Sequence, residues 1–275
     1  MKTVAIGIAA VVALIGTPAL AADTTSAYSW TGFYAGPNIG LGWGNQNVSY
    51  TPNDVVSRGL MLDATDGLGV FNPTSFINFG AIGGFQVGYN WQFQRNWLVG
   101  LETDFDFSGI QGSSTEAAIN FNTLPISTLA SEQVNWFGTI RARLGYLPTD
   151  NLLTYVTGGF AYGSVSESGN FALGPGGSFG ATVGNIGYTC NEASVCFAGS
   201  SNYVVPGWTV GAGLEFAAYK NVTLKAEYLF ISLNGRSITE TALNAGGPNV
   251  TPSTFNAGFG NTVINVVRVG FNYRF

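Results

Sequence analysis

Histidine is absent from this sequence, and charge is scarce: 10 Lys and Arg stand against 15 Asp and Glu, so that 9% of the residues are charged. Without imidazole, Ser-His and Asp-His nucleophile or base arrangements have no members and most zinc chemistry has no ligand set. Haem would be left with Tyr, one of two Met, or a Cys as its axial ligand. No metal and no cofactor is expected. A net charge of −5 without a cluster of Lys and Arg excludes nucleic acid as a partner, because phosphate binding requires such a cluster. Two cysteines, Cys190 and Cys196, lie in a Gly/Ser/Asn-rich stretch, where a local disulfide closing a small loop is expected in an exported chain. Also missing, beyond the first 21 residues, is any apolar run long enough to cross a bilayer as a helix.

Those first 21 residues have the form of a secretory signal peptide: Lys2 at the start, an apolar run from Val4 to Ile15, and the small-residue site Ala19-Leu20-Ala21. Cleavage there leaves residues 22–275 as one domain. Little charge, 39 Gly and 14% aromatic residues fit a soluble domain poorly. A closed β-barrel is the other way to live in a membrane, since its strands hide apolar residues by alternating them with polar ones.

That alternation is present. Phe33, Ala35, Pro37, Ile39, Leu41 and Trp43 oppose Tyr34, Asn38 and a series of glycines over 31–45. Further strands are predicted at 80–91, 97–108, 133–147, 152–165, 206–218, 222–233 and 262–275. Over 133–147, Val134 and Trp136 fall on the apolar side and Asn135 on the polar side; over 152–165, Leu153 and Tyr155 compete with Val156 and Phe160 for it. Short turns follow the second, fourth and sixth strands, and long stretches follow the first, third, fifth and seventh. The fold expected is an all-β, eight-stranded antiparallel transmembrane barrel, an up-and-down meander with short periplasmic turns and long outer loops.

Charges on a lipid-facing wall cost roughly 2–4 kcal/mol each for Arg or Lys at the bilayer midplane, so alternation sends them inward. The inferred lumen network is Glu102, Asp104, Asp106, Glu215 and Glu227 with Arg141, Arg143, Lys225 and Arg268. An eight-stranded barrel is just wide enough to be filled by side chains, so these groups form either a plug of ion pairs or a narrow polar pore, with lumen-facing glycines leaving room for water. Asp104 and Asp106 could serve as acid and base, but facing two arginines they are better explained by charge pairing, and no enzyme is expected. Trp30, Phe33, Trp91, Phe93, Trp97, Tyr146, Tyr219, Tyr273 and Phe275 gather near the short turns as an interfacial girdle. The outer loops, 46–79, 109–132, 166–204 and 234–261, carry Asp54, Asp63, Asp66, Glu116, Glu167, Glu192 and Glu240 against Arg58 and Arg236, a weakly acidic surface on mostly solvated spacer.

Four segments carry a family resemblance: Trp30-Thr31-Gly32-Phe33-Tyr34-Ala35-Gly36 with Asn38, Gly83 to Gln92, Arg141-Ala142-Arg143-Leu144-Gly145-Tyr146, and Val269 to Phe275. With them the mature chain resembles the small outer-membrane barrels of alphaproteobacteria, related to Brucella-type surface antigens, opacity proteins and the OmpA transmembrane domain. The resemblance implies export through the periplasm to the outer membrane of a Gram-negative cell, where lipid and lipopolysaccharide surround the barrel. Phe275, with Tyr273 and Phe271, resembles the last-strand pattern by which the outer-membrane assembly machinery recognises its substrates. A structural, surface-exposed role in the envelope is expected. A low-conductance porin for small polar solutes is the alternative, as is an adhesin whose loops meet a host or surface ligand.

Overall fold

A computed structural model describes residues 28–65, 70–119 and 124–275. The expected signal peptide at 1–21 and Asp66 lie outside the described residues, as does the side chain of Asp63. The elements run in the order β1 (Gly32–Pro52), α1 (Val55–Thr65), β2 (Thr74–Gln92), β3 (Trp97–Ile119), β4 (Pro125–Thr149), β5 (Leu152–Leu173), β6 (Phe179–Val183), β7 (Ile186–Cys190), β8 (Ser194–Tyr219), β9 (Val222–Leu233), β10 (Ser237–Ala242), β11 (Thr251–Pro252), β12 (Thr254–Phe259) and β13 (Thr262–Arg274).

Eight antiparallel strands close into a ring in the order β1-β2-β3-β4-β5-β8-β9-β13, with β13 returning to β1 through pairs such as Ile39 with Val269. Closure satisfies every edge, which is what a strand in lipid requires. Tight turns join β2 to β3, β4 to β5 and β8 to β9. Lipid-facing apolar side chains cover 33–43, 77–91, 97–107, 136–146, 156–160, 204–216, 224–230 and 267–273, which we take as the membrane spans.

The strands are longer than their apolar alternation. β3 continues to Ile119, β4 begins at Pro125, β5 reaches Leu173 and β8 starts at Ser194. Much of the expected loop sequence is therefore barrel wall. On the remaining side, β10 and β12 take over from β9 and β13: β12 pairs with β1 (Val48 opposite Phe259), β12 with β10, and β10 with β8 (Thr241 opposite Ala198). The wall thus stays closed well above the membrane, and α1 with the small sheet β6-β7-β11 caps it.

Three sequence expectations need correction or completion. Between Val134 and Trp136 the register slips by one residue at Asn135. This bulge turns Val134 inward, where it is fully buried, and Trp136 outward, because an inserted residue reverses the alternation beyond it. On β5, Leu153 and Tyr155 point inward and Val156 and Phe160 outward. Trp30 does not belong to the girdle: it is 2% exposed, its indole Nε1 donates to the carbonyl of Asp150 at 3.1 Å, and it packs against Leu98, Leu147 and Leu153. The other girdle aromatics, from Phe33 to Phe275, are exposed.

Candidate functional site: the charged interior and its apolar seals

Following inward positions up β4 gives the composition of the lumen layer by layer: Leu147, then Arg143 and Arg141, Thr139, Phe137, Val134, Glu132, Ala130, Thr128 and Ile126. At the periplasmic end Trp30, Leu98, Leu147, Leu153 and Tyr155 form an apolar floor. Above it lies the charged layer.

Every one of the nine expected lumen charges is buried there, and they meet in one connected network. The Arg141 guanidinium contacts Asp104 Oδ2 at 2.7 Å, Glu227 Oε1 at 3.0 Å and Glu102 Oε1. Arg268 spans Asp104 Oδ2 (2.6 Å), Asp106 Oδ2 (2.8 Å) and Glu227 Oε2 (2.6 Å). Lys225 Nζ reaches Glu102 Oε1 at 2.7 Å and Gln86 Oε1 at 3.1 Å. Arg143 donates to Glu215 Oε2 at 2.8 Å and to Tyr34 Oη at 2.7 Å, while its guanidinium lies 3.8 Å over the Tyr155 ring. Planar guanidinium forks suit this task, since each can satisfy two or three carboxylates at once.

Neutral groups complete the network, and charge counting in the sequence passes over them. Tyr34 Oη donates to Glu102 Oε2 at 2.6 Å, Tyr155 Oη to Glu227 Oε1 at 2.8 Å, Thr139 Oγ1 to Asp104 Oδ1 at 2.8 Å, and Asn272 Nδ2 to Glu215 Oε1 at 2.8 Å. Their signal was the same period of two, which puts Tyr34 and Asn272 on the polar face. The glycines expected to leave space for water instead accommodate these rings: a Cβ on Gly88 would strike the Tyr34 phenol, and one on Gly213 the Tyr155 phenol.

Above the charges a second apolar layer crosses the lumen, built from Ile82, Ile110, Val134, Phe137, Leu229, Ile231 and Ile264 among others. The charged layer is therefore sandwiched between apolar floor and apolar ceiling. Such an arrangement can hold a cluster of ions rigidly; a continuous file of water needs polar partners that these layers do not offer.

Over the ceiling, at and above the outer edge of the membrane, sits a second set of carboxylates that form no salt bridge among the described residues. Glu132 and Glu167 stand directly opposite each other on β4 and β5, 2% and 3% exposed. Asn78 Nδ2 and Thr262 Oγ1 donate to Glu132, the latter at 2.9 Å, and Tyr203 Oη donates to Glu167 at 3.4 Å. Burial, reinforced by the facing Glu132 carboxylate, pushes Glu167 up to about 8. Higher still Glu240 is 1% exposed, and burial raises it to about 8 as well. Glu167 and Glu240, expected on a solvated loop surface, are instead inside the wall. The mouth is closed by a third apolar cluster in which Phe71, Phe171, Phe197 and Phe255 pack on Val56 and Leu60 of α1 and on Cys190 and Cys196. These two cysteines are bridged, 5.0 Å apart at Cα. Asp54 accepts from the amides of Val56 and Ser57 as the N-cap of α1, and by accepting from Ser253 Oγ and the Thr254 amide it ties that helix to β12, the strand beside β1.

At the other terminus Phe271, Tyr273 and Phe275 face outward, and the Phe275 amide donates to the Phe33 carbonyl at 3.0 Å, so the last residue takes part in closing the ring. A closed antiparallel ring with an apolar outer band, aromatic rims and a charged interior defines a transmembrane β-barrel. The chain belongs to the outer membrane protein β-barrel domain family, whose model matches residues 7–275. It is similar to the 31 kDa outer-membrane immunogenic protein of Brucella melitensis, 34% identical over the whole of both chains, and to the 22 kDa outer membrane protein of Rhizobium leguminosarum, 28% identical over 60% of each. Among solved structures, OprG of Pseudomonas aeruginosa aligns with 90% of this chain and 99% of its own at 9% identity and a TM-score of 0.35. The protein is thus an outer-membrane β-barrel, similar over its whole length to a protein named as an outer-membrane immunogenic protein.

Proposed function

We infer that this barrel is a closed, non-enzymatic envelope protein whose work is structural and whose capped outer end is its recognition surface. The observation that carries the reading is the stacking of layers: nine buried charges locked in ion pairs, with an apolar floor beneath and three apolar clusters above. A diffusion pore would need a continuous polar path, and each of these layers interrupts one. The paired carboxylates Asp104 and Asp106 are engaged by Arg141 and Arg268 and are remote from solvent, which argues for charge pairing over acid-base work. The raised wall, α1 and the sheet β6-β7-β11 offer a firm outer platform for a host or surface ligand, since recognition residues are commonly carried by loops on a rigid scaffold. The exposed final strand supports the assembly machinery as a partner during insertion.

Liposome swelling tests the closed state. Proteoliposomes made with refolded protein are expected to swell no faster than protein-free vesicles in arabinose, glucose or glycine. Swelling that scales with protein and falls with solute size would refute the closed reading in favour of the narrow porin.

A further inference from the structure

We propose that a furrow on the outer wall, over β3, β4, β5 and β8, whose outward side chains are all uncharged, holds the neutral sugars of the outer-leaflet glycolipid. The furrow, of about 610 Å³, is lined by outward residues that include Gln111, Ser113, Gln133, Ser168, Ser200 and Asn202, while Glu132 and Glu167, which also border it, are buried on the inward register of their strands. At this height none of the outward positions of these four strands, 111, 113, 131, 133, 166, 168, 200 and 202, carries a charge. Small side chains leave the concavity open, and two β-bulges bend the wall beneath it: β3 slips between Phe107 and Ile110, and β4 at Asn135.

Its position identifies the occupant. Immediately below, a continuous ladder of rings faces lipid: Phe105 stacks on Trp136 at 5.3 Å, Phe107 meets Phe105 at 5.2 Å, and Tyr162 meets Trp136 at 6.1 Å. Aromatic rings of this kind mark the membrane–water interface. Gln133 is three residues beyond Trp136 and Ser166 four beyond Tyr162, which at about 3.3 Å per residue puts the furrow roughly 10 Å farther along tilted strands, at headgroup depth. A glycolipid there lays its acyl chains on the rings and its sugars in the furrow.

The chemistry fits neutral hydroxyls. Gln111, Ser113, Gln133 and Ser200 make no side-chain hydrogen bond within the described residues, so their donors and acceptors are available to a ligand. The other furrow residues are engaged, Ser131 with Ser168 at 2.7 Å, Ser166 with Asn135 at 2.8 Å and Asn202 with Ser164 at 2.9 Å, as are those of the opposite wall, where Asn53 Nδ2 donates to Asn256 Oδ1 at 3.1 Å and Thr239 Oγ1 to the same oxygen at 2.9 Å. The furrow is set apart by the four side chains that are left over. Lacking Lys and Arg, the furrow has no means of fixing the glycolipid's phosphates, which points to its uncharged sugars.

The test uses the full barrel refolded in detergent, with folding of each variant checked by its heat-modifiable band. Fluorescent lipopolysaccharide bearing core sugars is compared with lipid A lacking them and with the free core oligosaccharide. Core-bearing lipopolysaccharide is expected to bind at least tenfold more tightly than either. Ser200→Trp, which fills the furrow, and Gln133→Ala, which removes an amide, should abolish most of that advantage, while Ser49→Trp on the opposite wall should keep it. Equal binding of lipid A, undiminished preference in both furrow variants, or free oligosaccharide binding as tightly as the whole glycolipid would each overturn the proposal. None of these outcomes depends on whether the lumen conducts.

Discussion

Replacing Arg141 by Met removes the cation that touches Glu102, Asp104 and Glu227 while keeping a side chain of similar length. Arg141 is 1% exposed and its three partners are equally enclosed, so water cannot take its place. The nine-member network holds five acids and four bases, and the substitution leaves five against three. Arg268 and Lys225 still contact these carboxylates, which lessens the damage, but Asp104 and Glu227 each lose a close partner. Removing one partner from a buried ion pair typically costs about 3–5 kcal/mol, and this site falls within that range. Urea unfolding of the refolded barrel, followed by tryptophan fluorescence and by the heat-modifiable band, should show a lower midpoint at unchanged slope. Adding Glu227→Gln to Arg141→Met should recover part of the loss, since neutralising the stranded carboxylate removes the unpaired charge; a coupling of about 1–3 kcal/mol is expected for groups in direct contact. A variant within about 0.5 kcal/mol of the parent, or a double variant whose losses simply add, would refute the idea that these charges act as one cluster.

Glu167 and Glu240 are raised to about 8 in the folded barrel, far above an unfolded glutamate near 4.3, so the folded state holds extra protons between those values. Stability from these groups is complete below pH about 4 and falls as pH rises through about 8; Glu240→Gln should flatten the urea-midpoint profile between pH 6 and 9 by roughly 2 kcal/mol, and an unchanged profile would contradict its burial. Cys190→Ser opens a loop with a sequence separation of 6 and should cost about 2 kcal/mol by loop entropy, read as faster protease nicking of the cap on intact cells; equal nicking would refute its role there. Deleting Phe275 should lower the amount of heat-modifiable barrel in outer-membrane fractions, and normal levels would dismiss the terminal-strand signal.

The membrane-spanning part of this molecule is readable because lipid enforces a period of two: Glu102, Asp104 and Asp106 alternate with Leu101, Thr103 and Phe105, and no other facing is tolerable in hydrocarbon. That constraint ends at the membrane edge. Just beyond Phe107 on β3 and Val204 on β8 the outward side chains are Gln111, Ser113, Asn202 and Ser200, so both faces become polar and wall reads as loop. For this reason Glu167 and Glu240 read as solvent-facing in the sequence although the fold buries them. The bulge at Asn135 has no composition of its own, and a one-residue slip is invisible to alternation until Phe137 and Val134 are seen to share an interior. Trp30, a tryptophan beside a short turn, looks interfacial in the sequence; it seals the barrel floor because its indole finds the Asp150 carbonyl inside.

The layering of the lumen can be judged by its electrical behaviour. Single-channel recording in planar bilayers at high salt should give a flat baseline after insertion of the refolded protein, with insertion verified by protection of the transmembrane strands from protease. Reproducible conductance steps from the intact barrel, diminished when Arg141 and Arg143 are replaced, would contradict a lumen sealed by apolar layers and filled by ion pairs.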